Sequence, residues 1–117
     1  MVAWSGLDQR SFPRISVECM VWILEDGGKA LKTKTENLGG GGLCVILPKG
    51  LEKLSKVRIR LFIPKKEPVD CEGRVVWTIR SKVPRAKVAY DTGVTFSGLS
   101  DEDRNTILDF IENATRK

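Results

Sequence analysis

The chain contains no histidine among its 117 residues. Histidine is the side chain that most often acts as a general base near neutral pH, and it is the commonest metal ligand. Its absence also leaves the cysteines without an imidazole that would activate them as nucleophiles. We therefore expect that the chain is not an enzyme and that it uses no metal ion or cofactor.

Cysteine is scarce, and the three cysteines do not pair in the sequence. Cys19, Cys44 and Cys71 are an odd number and form no CxxC motif, which a zinc site or a dithiol redox centre would require. Each lies in an apolar, strand-like context. The sequence therefore predicts reduced thiols in the protein core.

Long apolar runs are also missing. No stretch approaches the roughly 20 apolar residues that span a bilayer, and the N-terminus lacks the basic-then-apolar order of a secretory signal. We expect a cytoplasmic protein of one domain that does not insert into a membrane. The net charge of +5 favours an anionic partner, although basic residues spread along a chain are also typical of a solvated surface.

Alternating apolar residues indicate a mainly β protein. The Asp26-Gly27 pair is typical of a tight hairpin, so residues 15–24 and 29–36 should pair antiparallel. The segment 69–79 has one apolar face and a bend or bulge at Gly73. Its apolar face comprises Cys71, Val75, Trp77 and Ile79. Further strands are expected at 43–47, 57–63 and 86–96, and six strands joined mostly by short turns predict a closed or nearly closed antiparallel barrel.

A terminal helix is predicted from Ser100 onward. The S-x-x-D pattern of residues 100–103 supplies an N-cap hydroxyl and places carboxylates at the positive end of the helix dipole. Ile107, Leu108 and Ile111, with Phe110, form an apolar stripe. Arg116 and Lys117 suit the negative end of the dipole. We expect this helix to pack on the barrel.

Folding does not explain two local patterns, RSFPR at residues 10–14 and NLGGGG at residues 37–42. Four consecutive glycines indicate a tight loop with unusual backbone geometry, because glycine weakens a strand or helix interior. Arginine binds phosphate oxygens, pairs with guanine O6 and N7, and stacks on bases. The individual residues also have purely structural interpretations: a solvated arm for the arginines, a turn cap for Asn37 and a positive-φ bulge for the glycines.

Together, the two patterns resemble the signature of the PilZ domain family. That signature is an RxxxR motif, here Arg10 and Arg14, followed after two strands by (D/N)xSxxG, here residues 37–42. The resemblance extends to residues 73–77, residues 93–96 and the start of the terminal helix. It implies a flexible N-terminal arm at residues 1–14 and, over residues 15–117, a six-stranded antiparallel β-barrel with a C-terminal α-helix.

The resemblance also implies a function, the binding of the bacterial second messenger cyclic di-GMP by a regulatory module. The implied ligand-binding residues are Arg10, Arg14, Asn37, Gly39 and Gly42. The arm would fold over the barrel once its arginines meet the nucleotide, and contact with an unidentified downstream protein would pass the signal on, in motility or biofilm control. Gly39 replaces the family's serine, and loss of one neutral hydrogen bond would weaken binding by up to about tenfold.

Two other functions stay open at this stage. A PilZ-like adapter that has lost nucleotide binding would act through protein contacts alone, in motility or pilus assembly, and Gly39 favours this alternative. A small basic barrel can also bind single-stranded nucleic acid. The row of exposed aromatic residues that such a protein uses is not visible, so a nucleic-acid partner is not expected.

Overall fold

The computed structural model describes residues 14–81 and 88–115. Within these ranges the chain forms strands and one helix, in the following order: β1 (Arg14–Ile15), β2 (Met20–Glu25), β3 (Ala30–Gly39), β4 (Gly42–Leu47), β5 (Lys56–Phe62), β6 (Val69–Arg80), β7 (Tyr90–Phe96) and α1 (Asp101–Thr115).

Strands β2 to β7 form a closed antiparallel barrel. Their order is β3-β2-β5-β6-β7-β4, and β4 pairs back to β3, so the barrel closes. The short β1 pairs with the end of β3. This architecture confirms the predicted fold class. The interior is filled by fully buried aliphatic side chains, among them Val21, Ile23, Leu38, Leu43, Val45, Leu61, Val75 and Val94.

The hairpin between β2 and β3 forms as predicted. Gly27 adopts a positive φ of 72°, and the Gly28 N–H donates to the Glu25 carbonyl at 3.0 Å. A residue with a side chain would be strained at this φ, which is why the sequence pattern was informative here.

The prediction of one continuous strand over residues 15–24 is wrong. The chain instead forms β1 and β2, separated by residues 16–19. There, hydrogen bonds from the side chain of the fully buried Thr35 take the place of regular backbone pairing between strands. Its hydroxyl accepts from the Cys19 N–H at 2.9 Å and donates to the Val17 carbonyl at 2.6 Å. The same region of β3 contains a register shift between Thr35 and Asn37.

The predicted bulge at Gly73 is also wrong. The register between β6 and β7 shifts between Val75 and Trp77 instead, so the alternation reverses and Ile79 is 53% exposed rather than in the core. Gly73 is needed for packing, because a Cβ there would lie 2.5 Å from the Ile59 Cδ1 and 2.9 Å from the Thr95 carbonyl oxygen.

The last strand is shorter than the predicted 86–96. It begins at Tyr90, and Val88, expected on the apolar face, is 46% exposed. Residues 82–87 lie outside the described ranges.

Helix α1 begins as its sequence predicts and packs on β1 and β3. The Ser100 hydroxyl accepts from the Asp103 N–H at 3.1 Å, which confirms the N-cap. Ile107 and Ile111 are buried against the barrel. The predicted basic end, Arg116 and Lys117, lies outside the described residues. No helix in the described part of the chain has the length and apolar character needed to cross a membrane.

The cysteines are free thiols, and two of the three lie in the core. Burial raises the pKa of Cys19 to about 11. Burial, with smaller contributions from the Asp103 and Asp70 carboxylates, raises the pKa of Cys71 to about 11. Cys44 is half-buried rather than in the core, because it pairs with Asn37 on the other side of the barrel wall from the buried Leu43.

Candidate functional site

The pairing of β1 with β3 brings the two sequence motifs together. Arg14, the second arginine of RxxxR, is the register partner of Gly39, and Ile15 is the partner of Leu38. Directly opposed residues of antiparallel strands have Cα atoms about 4.5–5.5 Å apart. Two positions separated by 25 residues in the chain are therefore neighbours in the sheet.

Asn37 and Gly39 belong to the outward-facing side of the barrel wall. They flank Leu38, which is fully buried and pairs with the equally buried Leu43. Because side chains alternate across a strand, Asn37 and Gly39 belong to the opposite, outer face. Asn37 is half-buried, whereas Gly39 itself is buried.

The glycine segment, defined as residues 39–42, is less loop-like than its sequence suggests. Gly39 ends β3 and Gly42 begins β4, so Gly40 and Gly41 alone connect the strands. None of the four adopts a positive φ, which excludes the positive-φ bulge. Gly42 is required by packing, since a Cβ there would overlap the Val94 carbonyl oxygen and lie 3.0 Å from the Thr95 Cα.

Three donors form hydrogen bonds with the carbonyl groups of Gly40 and Gly41. The Gly41 carbonyl accepts from the Thr95 hydroxyl at 3.1 Å and from the Phe96 N–H at 2.9 Å. The Gly40 carbonyl accepts from the Arg104 Nε at 3.1 Å. Sequence reasoning missed Arg104, although a signal was present: it is the one basic residue in the acidic segment 101–115.

The structure does not place every predicted site residue. It brings together the backbone of Arg14, Asn37, Gly39 and Gly42. Arg10 lies outside the described residues, as does the rest of the predicted arm up to residue 13.

A separate concavity of about 560 Å³ lies away from the glycine segment. It is lined by the β2–β3 hairpin, β5 and Glu72. Its wall carries three carboxylates, Glu25, Asp26 and Glu72, against two cations, Lys56 and Arg58, so its charge does not favour a ligand with two phosphates. The glycine segment, with Arg14 beside it, is the stronger candidate.

Comparison with known protein families identifies the domain. The family model described as PilZ domain matches residues 8–113, which is most of the chain. The chain belongs to the PilZ domain family. A comparison with curated proteins found no significant match.

Solved structures share the fold of this PilZ domain. The inhibitor of motility MotI of Bacillus subtilis has a TM-score of 0.75 and 19% identity over 94% of this chain and 53% of its own. The PilZ domain of YcgR from Escherichia coli, solved with c-di-GMP, has a TM-score of 0.71 and 14% identity over 92% of this chain and 95% of its own. The K. pneumonia MrkH complex with c-di-GMP has a TM-score of 0.70 and 16% identity over 90% of this chain.

This PilZ domain corresponds to only part of the longer relatives. It spans about half the length of the MotI and MrkH chains, but nearly all of the isolated YcgR domain. At these identities the comparisons establish the shared fold.

Proposed function

We propose that this PilZ domain is a non-enzymatic receptor for cyclic di-GMP. The observation that carries the proposal is the pairing of Arg14 with Gly39, which unites the two motifs beside the outer face of β3. The YcgR domain and MrkH, which share the fold, have been solved with c-di-GMP.

The residue types fit the chemistry of this ligand. Cyclic di-GMP has two phosphate charges and two guanines, and arginine binds both groups through charge-assisted or bidentate hydrogen bonds. The Asn37 amide offers a donor and an acceptor for a base edge. Arg10 and Arg14 supply the cationic groups in this account.

The signal passes by ordering of the N-terminal arm. Arg10 and Arg14 bind the nucleotide, the residues ahead of β1 fold over the barrel, and a second protein recognises the new surface. The alternative is an adapter that has lost nucleotide binding. Gly39 favours the adapter, because it lacks the hydroxyl of the family motif, but one neutral hydrogen bond changes affinity by only about tenfold.

Calorimetric titration of Arg10→Ala and Arg14→Ala with cyclic di-GMP tests the proposal. Each loses a charge-assisted contact of about 1.5–3 kcal/mol, so affinity should fall by roughly 10-fold to 150-fold or more. Arg58→Ala is the matched control, because Arg58 is exposed on β5, outside the site, and its loss changes net charge equally. Thermal unfolding should be nearly unchanged in all three. A double variant that binds as tightly as the wild type would refute the site.

A further inference from the structure

The glycine segment is connected to helix α1 directly by one hydrogen bond and indirectly through β7. The direct route is the hydrogen bond from the Arg104 Nε to the Gly40 carbonyl at 3.1 Å. The second runs from the Gly41 carbonyl to the Thr95 hydroxyl and the Phe96 N–H, at the end of β7. Only residues 97–100 separate that strand from α1. We therefore expect a displacement of this segment to be transmitted to the first turn of α1.

The location of Arg104 indicates a role beyond helix stability. It lies in the first turn of α1, where its N–H donates to the Ser100 carbonyl at 2.9 Å. A cation near a helix N-terminus is opposed by the helix dipole. Arg104 is also half-buried, which adds a desolvation cost. The bond to Gly40 is one of the interactions that offset these costs.

The bond from Arg104 also orients a backbone donor of the glycine segment. No cis peptide occurs in the described residues, and in a planar trans peptide the carbonyl and the following N–H point in opposite directions. Holding the Gly40 carbonyl toward α1 therefore directs the Gly41 N–H away from the helix. Backbone N–H groups in turns are common donors to phosphate oxygens.

We propose that Arg104 is a positioning residue of the nucleotide site and couples occupancy of the glycine segment to helix α1. The inference rests on the proposed cyclic di-GMP function. Nucleotide contact with the segment alters the Arg104 to Gly40 bond and, with it, the first turn of α1. Because coupling between two sites is reciprocal, a partner that binds α1 would change nucleotide affinity by the same factor.

Two substitutions separate the hydrogen bond from the bulk of the side chain. Arg104→Gln puts an amide nitrogen at the same number of bonds from the backbone as Nε, so the donor to Gly40 is kept while the charge is lost. Arg104→Met has similar length and no donor. Arg58→Met, at an exposed position of β5, controls for loss of one positive charge. Thermal unfolding of each variant verifies that the barrel is folded.

Calorimetry with cyclic di-GMP and amide hydrogen exchange give the two readouts. We expect Arg104→Met to bind about tenfold more weakly, and Arg104→Gln to recover most of the loss. In the wild type, nucleotide should change exchange of the amides of residues 101–108, and in Arg104→Met this response should disappear. Arg58→Met should behave as the wild type in both.

The outcomes distinguish this inference from the function on which it rests. A wild type that does not bind would refute both. A wild type that binds, with an Arg104→Met variant of equal affinity and an equal exchange response in α1, would refute the coupling alone. Equal losses in the Gln and Met variants would also contradict it, because the donor at the Nε position would then be irrelevant.

Discussion

At the residue scale, Gly39 is where this chain departs from the family motif. It lies at the end of β3 opposite Arg14, with an extended backbone. A serine there would avoid the strain that L-residues incur at positive φ. The missing hydroxyl is therefore not a consequence of left-handed geometry at this position.

Gly39→Ser should tighten cyclic di-GMP binding by up to about tenfold, the value of one neutral hydrogen bond. Gly39→Ala is the matched control, because it adds the same Cβ without the hydroxyl. Calorimetry compares their affinities and thermal unfolding compares their stabilities. If both variants are as stable as the wild type and bind equally, the hydroxyl has no role. Binding by Gly39→Ser alone would identify the wild type as an adapter.

At the element scale, the position of β1 depends on Thr35. Its hydroxyl satisfies the Cys19 N–H and the Val17 carbonyl where no regular strand pairing exists. Its backbone N–H donates to the Cys19 carbonyl at 2.9 Å. These bonds fix residues 16–19, which connect β1 to β2. Thr35 thus stabilises the segment that places Arg14 beside Gly39.

Thr35→Val is expected to lower the free energy of unfolding by about 1–3 kcal/mol, because valine has nearly the same shape but leaves the buried Cys19 N–H and the part-buried Val17 carbonyl without this partner. Urea denaturation measures the change. Thr106→Val is the control, since the Thr106 hydroxyl donates to the Glu102 carbonyl on an exposed part of α1. A loss at Thr35 no larger than that at Thr106 would contradict the structural role assigned to this hydroxyl.

Period-two patterns predicted most strands correctly, the Asp-Gly pair predicted the hairpin at Gly27, and the S-x-x-D pattern predicted the cap at Ser100. The errors cluster at register shifts. The shift near Trp77 arises from tertiary packing, in which the Trp77 ring occupies the space that a Cβ on Gly93 would fill, and no local pattern reports such a contact. For the candidate site, the sequence named Arg10, Arg14, Asn37, Gly39 and Gly42, and their role in binding stays a prediction. The sequence could not reveal that Arg14 and Gly39 converge, because the pairing of β1 with β3 is non-local.

At the scale of the whole molecule, the buried thiols make stability depend on pH. Cys19 and Cys71 have pKa values of about 11 in the fold, against an ordinary value of 9.0. A raised folded-state pKa means that the full stabilisation is present below about pH 9 and is lost as pH rises toward 11. Ionisation of either thiol would place a charge in the barrel interior.

Near pH 10.5 we expect each thiol to cost about 2 kcal/mol of stability relative to pH 8. Replacing both by alanine should lower stability at pH 8 but flatten its decline at high pH. Urea denaturation at pH 8 and at pH 10.5 measures the free energy of unfolding of both proteins. Tyrosine and lysine titrate in both, so their contribution cancels when the two proteins are compared. Parallel declines in the two proteins would show that the thiols are not responsible.

The outer surface of the barrel does not favour the nucleic-acid alternative. Trp22 packs edge-on against Phe62, with ring centroids 5.2 Å apart, and the Lys32 Nζ lies 4.6 Å from its ring centre. A base-stacking platform needs an unobstructed ring face. This aromatic pair is better explained as packing on the barrel surface, and the net charge of +5 remains compatible with a small anionic ligand.

Amide hydrogen exchange with and without saturating cyclic di-GMP tests the central claim most directly, because it reports both binding and its location. We predict slower exchange at residues 5–14 and 37–44 with cyclic di-GMP. Cyclic di-AMP should give little protection, since adenine lacks the O6 acceptor that arginine recognises in guanine. Unchanged exchange in both segments, or protection confined to another surface of the barrel, would contradict the account.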